Sequence, residues 1–231
     1  MFADFPLSVA RARRAVRLFL PCMLATTCSA SLAVTSFLDP VGDFLPTYLG
    51  DRATSAGLDV VSVSAIYNVS NNTFTLNSTL AGPVRTTNAT FYSWSVDRGT
   101  GTLDFADLGV TGVYEDGRLV IDFEDGGNGS LVGTAAVITT SLSFLPAGSL
   151  TVTGNTISVT FSASVFPGNG YTPNKYLWSM FTRSSNSNGL DSIADFAPDN
   201  ASFTAALVPE PGSLALLLTG VTVIALRRRH A

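Results

Sequence analysis

The carboxylates are the residues of this chain best suited to chemistry. Asp and Glu number 17 against 13 Lys and Arg, and the one histidine is His230, next to the C-terminus. A Ser-His-Asp triad in the body and a His-ligated zinc site are therefore excluded. Neither a GxSxG elbow nor a P-loop occurs. A glycoside hydrolase needs two opposed carboxylates about 5–10 Å apart. Glu115 and Glu124, with Asp104, Asp107, Asp116, Asp122 and Asp125 around them, are the candidates. Turn and strand-edge solubility explains the same residues without catalysis, and the chain is read as a non-enzyme. Calcium binding suits the residue types better, because that ion takes oxygen ligands from Asp, Asn and backbone carbonyls in irregular loops. Three stretches could supply them: residues 97–102, 124–130 and 191–200, with Asp97, Asp125, Asn128, Asp191 and Asp195 as candidate ligands. None has the EF-hand spacing, so turn chemistry stands beside calcium as an explanation, and no other cofactor is expected.

The elements that position these residues read as strands. In "VVSVSAIYNV", Val61, Val63, Ala65, Tyr67 and Val69 alternate with Ser62, Ser64 and Asn68. In "NTFTLNSTL", Phe74, Leu76 and Leu80 oppose Thr73, Thr75, Asn77 and Thr79. In "NTISVTF", Ile157, Val159 and Phe161 oppose Thr156, Ser158 and Thr160. Period-two alternation of this kind predicts strands with one dry and one wet face. Asn71-Asn72, Gly117, the glycines of residues 126–129 and Gly154-Asn155 punctuate them as turns. Many short strands with turns at short spacing predict an all-β, antiparallel sandwich.

A faint internal repeat adds to this. "VSNNTFTL" (residues 69–76) matches "VTGNTISV" (152–159). Pro83, Tyr92, Trp94 and Ser95 then match Pro167, Tyr176, Trp178 and Ser179. The sandwich could thus be built from two related halves. Within each Tyr-x-Trp pair the rings share one strand face. They are read first as core, and second as a sugar-stacking surface.

Charge bounds the partners. Between Ser31 and Pro211 lie 16 acidic and six basic residues, whereas seven of the 13 basic residues lie in the two ends. An acidic body argues against nucleic acid, which needs basic patches. Both cysteines, Cys22 and Cys28, fall near the N-terminus. If that segment is removed, the body has no disulfide framework.

The ends read as addresses. "RARRAVRLFLPCMLATTCSASLAV" is basic, then apolar, then small, the order of a secretory signal peptide, assigned to residues 1–33. The body is assigned to 34–207, and the last segment, 208–231, is "VPEPGSLALLLTGVTVIALRRRHA". Its apolar span, 212–226, covers about 22 Å as a helix, short of a ~30 Å hydrocarbon core. Arg227, Arg228 and Arg229 would stay on the cytoplasmic side.

Val208-Pro209-Glu210-Pro211, an apolar span and a terminal arginine cluster, in that order, resemble the PEP-CTERM sorting signal of Gram-negative bacteria. The resemblance implies recognition of the Pro-Glu-Pro motif by an exosortase, after signal peptidase has acted at the N-terminus. It further implies transient anchoring in the inner membrane, then release to the cell surface or extracellular matrix. Such proteins accompany exopolysaccharide and biofilm. The body, through "FYSWSVDRGTGTLDFADLG" and "IADFAPDN", resembles one that recurs behind such tails, and no chemistry comes with that likeness. The expectation is an exported structural or adhesive protein. The alternative is a carbohydrate-binding module, calcium-dependent or not, that grips exopolysaccharide. A flat, polar, Thr-rich face would instead favour ice or surface binding.

Overall fold

The computed structural model describes residues 35–85, 90–125, 131–139, 141–184 and 189–208, without the side chains of 124–125 and 131–134. All belong to one compact unit, Leu32–Ala231. The signal segment and most of the sorting signal (Pro209, Glu210, Pro211 and Arg227 to Arg229) lie outside the described residues, as does Asn128.

Two β-sheets carry the fold, as the alternation predicts. Sheet A orders β1 (Phe37–Leu38), β2 (Val60–Asn68), β3 (Thr73–Leu80), β9 (Thr156–Ser162) and β8 (Leu150–Thr153), all antiparallel. A short β13 (Ala206–Val208) adds to β2 in parallel. Sheet B orders β11 (Ile193–Ala197), β10 (Leu177–Ser184), β4 (Thr90–Asp97), β5 (Gly117–Asp125), β6 (Leu131–Ile138) and β7 (Leu142–Phe144), with β12 (Phe203–Thr204) on β10. The helical elements among the described residues are three-residue 3-10 turns.

The core lies between the sheets. From sheet A, β3 points Phe74, Leu76 and Leu80 inward, and β9 points Ile157, Val159 and Phe161. From sheet B come Tyr92, Trp94, Trp178 and Met180. Phe74 meets Trp178 edge-on at 5.0 Å between centroids, a favoured aromatic geometry. Both tryptophans are fully buried, as are Tyr92 and Tyr176, so the core reading holds for these rings and they offer no stacking surface. The alternation breaks at the start of β2. A register shift between Val60 and Ser62 lets Val60 bury fully in place of Val61. Such a bulge puts one extra residue on one strand. Val69 lies beyond β2 and is exposed.

The repeated stretches pair with one another. β3 runs antiparallel to β9 with Leu76 opposite Val159. β4 runs antiparallel to β10 with Ser95 opposite Ser179. The same residues match when the two stretches of sequence are aligned.

The two outer faces differ. On sheet B, the connection from β4 to β5 folds back over the strands. Phe105, Leu108, Val110 and Val113 pack there against Phe181, Ile193 and Phe196. Ser93 and Ser95 are small residues beneath this layer. The chain between β1 and β2 continues the cover: Leu45 packs on the same cluster, while Phe44 and Tyr48 pack on Leu58 and Ala194. Among the described residues, no such layer packs on the outer face of sheet A.

Candidate functional site

The chain leaves β1 through Asp39-Pro40-Val41-Gly42-Asp43. The Asp39 N–H still donates to Val61 O at 3.0 Å, which fixes the first aspartate at the border of sheet A. Gly42 adopts φ +86°, a left-handed conformation open to glycine at little cost. Its N–H donates to Asp59 Oδ2 at 2.9 Å, and Asp59 stands immediately ahead of β2. From sheet B, Asp195 in the middle of β11 reaches across to sheet A. Its Oδ2 accepts the Val60 N–H at 2.7 Å, and its Oδ1 accepts the Phe196 N–H at 2.9 Å. Asp199 follows in the next turn, past a cis Ala197–Pro198 bond. One carboxylate oxygen from each of Asp39, Asp43, Asp195 and Asp199 lies within 4.8 Å of the others.

Several of these groups are shielded and lack donors, while Asp199 is exposed. Asp39 is 8% exposed, Asp59 3% and Asp195 1%. Asp39 Oδ2, Asp59 Oδ1 and both oxygens of Asp43 have no hydrogen-bond partner. Electrostatics follows. Burial, then the charges of Asp199 and Asp43, push the Asp39 carboxyl up to about 8. Burial does the same to Asp195, also to about 8, against the Val60 N–H that favours its anion. Asp43 is raised by burial first, then by Asp199 and Asp59. Asp59 is raised by burial, with the Gly42 N–H opposing. Like charges confined together disfavour ionisation unless something positive joins them. An all-oxygen, carboxylate-rich cluster suits a hard divalent cation.

The sequence candidates for calcium separate here. Asp195 belongs to the cluster. Asp97 does not: its Oδ1 accepts the N–H groups of Gly99 and Gly101 at 2.7 and 2.9 Å, so turn chemistry accounts for it. Asp191 sits in the turn before β11, outside the cluster. The Asp125 side chain is not among those described. Asp39, Asp43 and Asp59 went unread in the sequence. The signal that could have found two of them is the Asp-Pro-Val-Gly-Asp spacing, two aspartates across a glycine turn.

The hydrolase carboxylates have other partners. Glu115 is paired with Arg118 at 2.6 Å and accepts from the Ser95 hydroxyl. Asp116 is paired with Arg98 at 2.8 Å, and Asp104 accepts from Thr102 Oγ1 at 2.8 Å. They border an open polar depression of about 340 Å³ with Thr102, Gly117, Ile138 and Thr139. The Arg118 guanidinium is held over the Phe181 ring, 4.9 Å from its centroid.

The outer face of sheet A is the other distinctive surface. Register places hydroxyl and amide side chains in rows across the strands. Ser64, Asn77, Ser158 and Thr151 form one row; Ser62, Thr79, Thr156 and Thr153 form the next. Thr75 and Thr160 oppose each other with hydroxyls 3.0 Å apart. Asn77 ties its row together, donating to Ser64 Oγ at 3.3 Å and accepting from Ser158 Oγ at 2.7 Å. Such rows repeat at about 4.8 Å between strands and about 6.7 Å along each strand.

Comparison of the chain with protein-family models, curated proteins and solved structures finds no match.

Proposed function

We propose that this protein is an exported structural or adhesive component of the cell surface or extracellular matrix. The observation that carries the adhesive part is the outer face of sheet A, with its rows of Thr, Ser and Asn and no layer of described residues over it. Hydroxyls and amides both donate and accept, so they match a ligand rich in hydroxyls, such as exopolysaccharide. Each exchange with water yields only about 0.5–1.5 kcal/mol. A repeating face on a repeating polymer gains strength from multiplicity instead. The pairing of Leu76 with Val159 and of Ser95 with Ser179 supports a sandwich made of two related halves. Duplication would also widen this face, since β3 and β9 carry equivalent hydroxyl rows. The alternative of a sugar-binding module with stacking aromatics is disfavoured, because the four candidate rings are buried.

Delivery would rest on the two ends, with 208–231 as an exosortase-processed address. β13 ends at Val208, so the sorting motif starts where the described sheet stops. Co-sedimentation of the chain with extracted exopolysaccharide tests the adhesive role. Replacing Thr75 and Thr160 together by glutamate should shift the protein to the supernatant. Unchanged sedimentation would contradict the assignment of this face. The C-terminal peptide of the mature protein tests delivery, and an exported body that still ends in "RRRHA" would refute it.

A further inference from the structure

We propose that Asp39, Asp43, Asp195 and Asp199, with Asp59 beside them, form a calcium site that clasps the segment between β1 and β2 onto β11. Three separate lengths of chain bring these groups together: the turn after β1, the residue before β2, and β11 with its following turn. A chance acidic patch would be solvated. Here Asp39 and Asp59 are more than nine-tenths buried, and Asp39 Oδ2 and Asp59 Oδ1 have no donor. Among the described residues no Lys or Arg pairs with any of the five; the ion pairs join Arg98 to Asp116 and Arg118 to Glu115. A buried carboxylate without a counter-charge is strongly disfavoured, so the geometry calls for a cation.

The identity of the cation follows from the ligands. All are carboxylates, which favours a hard ion over zinc or copper. Oxygens arranged about a calcium ion at 2.3–2.6 Å stay within about 5 Å of one another, and these four lie within 4.8 Å. Magnesium demands a near-ideal octahedron and keeps much of its water. Several carboxylates fixed on two loops and a strand fit calcium better. Asp59 acts as a positioning residue: it holds the Gly42 N–H and so sets the turn that carries Asp39 and Asp43.

The consequence is structural. Leu45 N–H donates to Ala194 O at 2.8 Å and Leu49 N–H to Asp191 O at 3.2 Å, so the segment lies along the β11 side of sheet B. The clasp sits at its start. With calcium removed, repulsion among the carboxylates should loosen it.

Calorimetric titration of the chelator-stripped full chain with CaCl2 and, separately, MgCl2 tests this. Calcium should bind at one site at least tenfold more tightly than magnesium. Asp43→Asn and Asp199→Asn should each weaken calcium at least tenfold; Asp199 is exposed, so its variant tests binding without threatening the fold. Asp104→Asn, outside the cluster, should bind as wild type. Amide exchange of residues 39–58 should accelerate in chelator and slow with calcium. No calcium binding by the folded chain, preference for magnesium, or wild-type affinity in both cluster variants would overturn the site. Calcium binding without any change in exchange over residues 39–58 would overturn the clasp.

Discussion

Asp116 and Asp39 are aspartates in similarly shielded places with opposite fates. Burial pushes Asp116 upward, but the Arg98 side chain and N–H and the Thr100 hydroxyl outweigh it, and its carboxyl is held below the usual range. Asn169 adds a further donor at 3.2 Å. Asp39 meets the same burial with two negative neighbours and rises to about 8. Donors decide the difference, since burial alone raises both. Around Asp116 the protein has completed its own electrostatics and made a lock between the β4–β5 connection and the loop before β10. Around Asp39 it has gathered acceptors with too few donors. The first arrangement is finished structure; the second is a receptor for positive charge.

The largest effect should come from breaking the finished lock. Arg98 also donates to Pro167 O and Asp116 O, at 2.8 and 2.7 Å. Arg98→Ala removes the counter-charge of Asp116, which keeps the Thr100 and Asn169 donors, and should cost about 3 kcal/mol, the low end of the usual penalty for removing one partner of a buried pair. Denaturant unfolding should show the same loss with calcium and with chelator. A loss that depends on calcium would merge two regions that the account keeps apart.

Next comes pH. The cluster carboxyls have folded values above their unfolded ones. Their protonated forms therefore favour the native state at low pH, and that stability is lost as pH rises through the folded values, toward about 8 for Asp39 and Asp195. In chelator, the unfolding midpoint should fall by at least about 5 °C between pH 5 and pH 8, equivalent to roughly 2 kcal/mol at this size. Saturating calcium should flatten the decline. Asp116 has the opposite sign, and its contribution is lost only as pH falls below the unfolded value near 4.

Asp43→Asn should act more gently, and its sign should depend on the medium. Neither Asp43 oxygen has a donor, so the amide removes repulsion in chelator and should leave stability unchanged or raise it by up to about 1 kcal/mol. With calcium the same variant should be less stable than wild type. An equal loss in both media, measured by chemical denaturation, would make Asp43 an ordinary structural residue. Thr75→Val should change stability least, within about 0.5 kcal/mol, because it lies on a surface away from either carboxylate region.

Much of the sandwich could be read from the sequence. The Thr-Phe-Thr-Leu pattern of β3 and the Ile-Ser-Val-Thr pattern of β9 each state which face is dry, and both faces are as read. The Tyr-x-Trp-Ser pair announced β4 and β10, though not that the two strands would adjoin. The bulge at Val60 left no mark in the sequence, because Val61 and Val63 satisfy the inward phase by themselves and nothing local shows that Val60 buries instead of Val61. Strands of two or three residues, such as β1 and β12, are too short to show a period. The third layer over sheet B was hidden for another reason: Phe105, Leu108 and Val113 sit in a turn-rich stretch, and only tertiary contact makes them core. The acidic cluster was half legible. Asp195 and Asp199 lie in a stretch that looked able to bind calcium, whereas Asp39 and Asp43 are about 150 residues away. No local spacing rule links them; the meeting of β11 with the border of sheet A does.

The most direct measurement is the thermal unfolding midpoint of the full chain at pH 7.5 in 10 mM CaCl2 and in excess chelator. For an extracellular-type affinity of about 10⁻⁴–10⁻³ M, mass action predicts about 1.5–3 kcal/mol of stabilisation by calcium, or roughly 3–10 °C at this size. That increment should survive Arg98→Ala and shrink by about 1 kcal/mol or more in Asp43→Asn. Identical midpoints in calcium and chelator would contradict the account.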